Sequence, residues 1–141
     1  MEISEVRKRL RGTVERAKRK AAERRTLMDD AGRDFPTFLE TIAVPLFRQA
    51  AGVLKAQGYL FRVFTPGGSV RLAADKNAAD FIELTLDTSG PAPILTGRTS
   101  RTRGRHIVES ERPVGSGAIR EITEEQVLDF LADELEPFVE R

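Results

Sequence analysis

Apolar and polar positions change their period along the chain, and each change predicts an element. Ile3, Val6, Leu10, Val14, Ala17, Ala21, Met28 and Ala31 recur every three or four residues, interrupted at Arg24. That spacing predicts a helix over residues 2–31. Glu5–Arg9 and Glu15–Arg19 stand four apart in the favourable order. The stripe is narrow and fades to Ala after Val14, so this helix is marginal alone and wants a partner. Gly32 is its expected stop. Phe35, Phe38, Leu39, Ile42, Leu46, Ala50, Val53 and Leu54 then predict a second helix over residues 35–57. Asp34 is its expected N-cap. Pro45 is expected to kink or restart it, and Gly58 to end it.

After Gly58 the period becomes two. Tyr59–Thr65 and Ser69–Ala74 predict a hairpin about Pro66-Gly67-Gly68. Phe81–Asp87 predicts a third strand, with Ile82, Leu84 and Leu86 on one face and Glu83, Thr85 and Asp87 on the other. Such alternation expects a sheet with one wet face. Ile94–Thr99 and His106–Glu111 predict two more strands around an Arg-rich segment. Val114–Arg120, with Gly115 and Gly117, reads as a loop or a short bulged strand. Thr123 and Gln126 have the spacing of a capping box, and Ile122 and Val127 that of a hydrophobic staple. Val127, Leu128, Leu131, Leu135 and Phe138 line one face of the helix that follows, and Pro137 is expected to end or kink it. Short turns imply an antiparallel meander of four to five strands, covered on one face by helices. The expected class is α+β, with a long charged N-terminal helix in front.

Composition adds a division of labour. Of 41 Val, Ile, Leu, Met, Phe and Tyr residues, seven lie in residues 1–34. The front of the chain therefore cannot be the centre of a core. The expected organisation is a basic helical arm, residues 1–33, on a compact domain, residues 34–141. The chain has 141 residues and a formal charge of +1, which argues against a uniformly basic nucleic-acid wrapper. The balance hides segregation: residues 1–33 carry +5, 34–97 carry −1, 98–120 carry +4 and 121–141 carry −7. No apolar run approaches the roughly 20 residues of a membrane span. The charged start lacks an apolar leader, so a cytoplasmic location is the expectation.

Candidate chemistry is sparse. Without Cys, thiolate catalysis and disulfides are excluded, and one His cannot build the common zinc sites. His106 has no visible catalytic partner, and Gly115-Ser116-Gly117 lacks the spacing of a nucleophile elbow. Asp75, Asp80, Glu83 and Asp87 fit no metal-ligand spacing, and a solvated strand face accounts for them. No catalytic residue, metal or cofactor is expected. The most specific segment is Arg98–Arg105, with four Arg in eight residues and no acid. Guanidinium forks suit phosphate or carboxylate oxygens. Arg98, Arg101, Arg103, Arg105 and His106 are therefore the candidate anion or nucleic-acid site. The competing reading is a solvated tip, or a partner for the acidic last helix of the same chain. With no Trp and one Tyr, base stacking has no visible apparatus.

Arg7, Arg11, Lys18 and Arg25 are the candidate contacts of the arm. They could track phosphates or flank the seam of a helix pair. Charge segregation without a catalytic constellation points to a non-catalytic interaction module, a protein–protein adaptor that self-associates. The expected partner is a second copy or another protein. Nucleic-acid backbone bound by the arm and the Arg98–Arg105 stretch is the first alternative. A small anionic ligand between sheet and helices is the second, and the acidic side of residues 121–141 is a further candidate surface. No motif identifies a family.

Overall fold

A computed structural model describes residues 1–140. One long helix leads. It comprises α1, Ile3–Phe38, a π-helical turn, Leu39–Ala43, and α2, Val44–Ala56. At 1.5 Å per residue it is about 80 Å from end to end. The strands follow as β1, Phe61–Phe64, β2, Val70–Ala74, β3, Phe81–Asp87, β4, Ile94–Arg103, and β5, His106–Pro113. A single 3₁₀ turn, Ile119–Glu121, leads into α3, Glu124–Val139. The sheet is an antiparallel meander in the order β1-β2-β3-β4-β5. This is the α+β architecture that the change of period predicts.

The helix does not stop at Gly32, and Asp34 is not an N-cap; both lie inside α1. The correction has a tertiary cause. Ala31, Phe35 and Phe38 are buried on one face, and their spacing carries straight through Gly32. Gly in a helix costs about 1 kcal/mol against Ala, while burying each Phe is worth about 1.5–3 kcal/mol. The burial wins. Pro45 acts differently. It stands at the start of α2, directly after the π turn, where the Val44 N–H reaches back five residues to the Leu39 carbonyl. The helix absorbs the missing proline donor as a local change of winding rather than as a break.

The core lies between one sheet face and the helices. Val70, Leu72, Ile82, Leu84 and Leu95 of the sheet meet Ala43, Leu46 and Phe47 of the long helix and Val127, Phe130, Leu131 and Phe138 of α3. The long helix covers β1 and β2, and α3 covers β3 and β4. Gly97 on β4 is what lets α3 come close. A Cβ there would lie 2.2 Å from Phe130 Cε1, so the ring occupies the place of a side chain. Thr123 caps α3 reciprocally with Gln126, at 3.2 Å and 2.9 Å. Residues 114–118 form a loop rather than a fifth or sixth strand.

The opposite sheet face is not uniformly wet. Glu83, expected to be solvated there, is buried. Register sets Arg71 and Arg98 on either side of it. Nε of Arg71 donates to Glu83 Oε2 at 2.8 Å, and Nη2 forms an ion pair with the same oxygen at 2.7 Å. The same guanidinium lies 3.9 Å from the Phe81 ring centre, with that of Arg98 at 5.6 Å. Two arginines thus shield an aromatic ring and a carboxylate where no helix packs.

Candidate functional site

Three surfaces bear on function: the arm, the hairpin between β4 and β5, and the outer face of α3.

Residues 3–26 are helical, and all of them except Gly12 are exposed. Leu10 and Val14 are 60% and 50% exposed, and Ala17 and Ala21 continue the same stripe. Its spacing of four, three and four carries on through Arg24 and Met28 to the buried Ala31. One continuous seam is therefore covered in its second half and bare in its first. Arg24, which interrupts the apolar pattern, has its own task. Its Nε and Nη2 donate to the Gly90 carbonyl, both at 3.2 Å, and Nη2 reaches the Thr88 carbonyl at 3.5 Å. The β3–β4 loop thereby sets the direction in which the arm leaves the body. Arg7, Arg11, Lys18 and Arg25 are exposed and form no ion pair among the described residues.

The Arg-rich segment is both strand and tip. Arg101 and Arg103 lie on β4, two residues apart on the face that carries the helices, beyond the end of α3. Gly104 and Arg105 make the two-residue turn, with Gly104 at φ +63°. A left-handed φ is open to Gly at no steric cost, which explains the glycine at this tip. Arg101, Thr102, Arg103, Gly104, Pro137 and Glu140 line an open cleft of about 510 Å³. Arg101, Arg103 and Arg105 make no ion pair among the described residues. Arg98 does not join them. It lies on the opposite sheet face over Phe81, with Nη2 3.8 Å from Glu109. His106 is exposed at the start of β5, opposite Arg103.

The carboxylates singled out by sequence are each engaged separately. Asp75 meets Arg62 at 2.6 Å, Asp80 accepts from the Thr102 N–H at 2.6 Å, and Glu83 holds Arg71. Asp87 accepts from the Ser89 hydroxyl at 2.6 Å and the Ser89 N–H at 2.9 Å. These bonds hold its pKa below the usual carboxylate range, the hydroxyl contributing most. Among the described residues no three His, Cys, Asp or Glu side chains cluster as metal ligands do. No described helix is long and apolar enough to cross a membrane.

The last surface, α3, combines six acidic residues and no basic one over Glu124–Val139. Two acids, the exposed Asp133 and the part-buried Glu134, have partners. Arg112 joins Asp133 at 3.3 Å and Glu134 at 3.1 Å, and the Thr99 hydroxyl donates to Glu134 at 3.0 Å. Glu124, Glu125, Asp129 and Glu136 are exposed and form no ion pair among the described residues. Between them runs a second apolar stripe: exposed Leu128 and Ala132, then half-buried Leu135 and Val139. Sequence reading placed Leu128 and Leu135 with the core face; Leu135 does pack against the core, half-buried, whereas Leu128 is exposed. Leu128 directly follows Val127 and so lies about 100° round the helix from it, which is the signal that separates it from the core face.

No protein-family model matches the chain, and no curated protein or solved structure is significantly similar to it.

Proposed function

We propose that this chain is a non-catalytic interaction module that self-associates through its helical arm. One observation carries the reading: the Leu10–Val14–Ala17–Ala21 stripe is bare on a helix that projects from the body. Most helical stability in proteins comes from packing of an apolar face, and here that face is bare. A partner that covers the stripe stabilises both the helix and the complex. Small residues at Ala17 and Ala21 allow a neighbouring helix to approach closely, at the 8–10 Å axial separation of packed helices.

The test is sedimentation of the full chain beside Leu10→Glu/Val14→Glu. The native chain is expected to sediment as a dimer. The variant is expected to be a monomer whose body stays folded, with helix content no higher than that of the native chain in its circular dichroism. A native chain that stays monomeric at every accessible concentration overturns the reading.

A second reading rests on Arg101, Arg103 and Arg105, three cations without ion pairs among the described residues, beside an open cleft. Under it the hairpin binds nucleic-acid backbone or a small anion, with the arm adding phosphate contacts. Fluorescence anisotropy with mixed-sequence DNA and RNA tests it. Binding that weakens steeply with salt and is lost in Arg101→Ala/Arg103→Ala/Arg105→Ala would favour this reading. Absence of binding at low salt would dismiss the nucleic acid.

A further inference from the structure

The arm is basic, and a helix pair made of two arms would set like charges face to face. Residues 1–26 hold ten Arg or Lys and four Asp or Glu, a net of +6 per arm. Packed helices lie 8–10 Å apart, within about one Debye length at physiological salt. Screening therefore does not remove the repulsion. A self-associating arm needs an acidic surface with an apolar stripe of its own, and the molecule presents one.

We propose that the arm of one copy docks antiparallel on the outer face of α3 of a second copy. This rests on the self-association reading above and names its contact surface. Two observations support it independently. The first is spacing. Leu10, Val14, Ala17 and Ala21 are separated by four, three and four residues, and so are Leu128, Ala132, Leu135 and Val139. Each stripe spans twelve residues, about 18 Å of helix. Laid antiparallel, Leu10 faces Val139, Val14 faces Leu135, Ala17 faces Ala132 and Ala21 faces Leu128. The alanine layer allows a close approach, and the outer layers supply the apolar area.

The second observation is charge. Arg11 and Lys18 directly follow Leu10 and Ala17 in the arm; Asp129 and Glu136 directly follow Leu128 and Leu135 in α3. In the antiparallel arrangement these positions share one flank, so Arg11 meets Glu136 and Lys18 meets Asp129. All four are exposed and without an ion pair among the described residues. The contact is made between copies. The arm is the first part of α1, clamped at Arg24 to the β3–β4 loop; in its own chain the arm's stripe is bare, and on α3 Leu128 and Ala132 are exposed while Leu135 and Val139 are half-buried at the border of the core. Two copies related by a twofold axis make the contact twice, which closes the assembly as a dimer.

A charge exchange tests the pairing. One variant carries Arg11→Glu/Lys18→Glu, and the other carries Asp129→Lys/Glu136→Lys. Each alone brings like charges together and is expected to weaken the dimer by about 100-fold or more. Mixed together they restore both contacts, so a heterodimer forms from two monomers. The native chain has no Cys, so an engineered disulfide gives a second readout. Ala17→Cys/Ala132→Cys is expected to oxidise to a covalent dimer, while Ala17→Cys alone stays uncrosslinked. Efficient crosslinking of Ala17→Cys alone, or no heterodimer on mixing while the native chain is dimeric, overturns docking on α3 and leaves self-association standing. A monomeric native chain overturns both.

Discussion

Residues 3–26 and residues 28–56 belong to the same long helix and differ in what their apolar stripe touches. In the second half the stripe carries Phe35, Phe38, Leu46 and Phe47, all buried against the sheet or α3. In the first half it carries Leu10, Val14 and two alanines, and it faces water. Both halves have helical spacing, and charge separates them. The inner half has a few charges on its outer side, whereas the arm is basic nearly all round. Periodicity thus decides that a helix forms, and the size of the residues in the stripe decides whether the chain's own core can hold it. A narrow, small-residue stripe flanked by charge suits a partner that arrives from outside.

The sharpest way to break this comparison is to truncate both halves and compare unfolding free energies. Phe47 is fully buried, and Phe47→Ala is expected to destabilise the fold by about 3–5 kcal/mol. Val14→Ala is expected to change the unfolding of the body by no more than about 0.5 kcal/mol. Its effect falls on association instead. Denaturant titration at fixed protein concentration measures the first, and sedimentation the second. Equal effects on unfolding would show that the arm is part of the folded body.

A second substitution asks how α3 comes to show two faces, one to the core and one to solvent. Its inner face is seated by the Gly97–Phe130 contact. Gly97→Ala places a methyl within the Phe130 ring and is expected to cost about 1–3 kcal/mol. The ring must yield, which also disturbs the Arg112 guanidinium 5.1 Å from its centre. Thermal unfolding measures the loss. A neutral outcome would mean that α3 can lift from the sheet without penalty, and its outer stripe would lose its fixed orientation.

Much of this was legible in the chain because it is local. The capping box at Thr123, the period of β3 and the basic arm all depend on residues a few positions apart. The helix join at residues 32–34 was not, because Gly and Asp are local stop signals and the packing that overrides them comes from distant parts of the chain, among them the Ile119–Glu121 turn. The Arg-rich hairpin was only half legible. Arg101 to Arg103 continue β4 through an all-polar stretch, where no apolar alternation marks a strand. Its separation from Arg98 depends on strand register. Register also creates the Arg71–Glu83–Phe81 cluster, which requires knowing that Arg71 stands opposite Glu83. The outer stripe of α3 was hidden by the inner one, since adjacent residues such as Val127 and Leu128 belong to different faces.

The smallest expected effect concerns the hinge between the two halves, where Arg24 ties the arm to the carbonyls of Thr88 and Gly90. Asp87 shapes that loop by accepting two bonds from Ser89, and those bonds lower its pKa. A carboxylate with a depressed folded pKa contributes fully above the ordinary carboxyl value of about 3.9. The contribution is lost as pH falls through the depressed value. The Ser89 amide resonance is therefore expected to titrate with a midpoint below that of a free carboxyl. Ser89→Ala removes the hydroxyl bond and raises the midpoint. The Arg24 Nε–H resonance is expected to move with the same midpoint, because the loop presents the carbonyls it uses. An Arg24 signal unchanged across that transition would separate the clamp from the loop. The direction of the arm would then have to come from the packing of Ala31 and Phe35 alone.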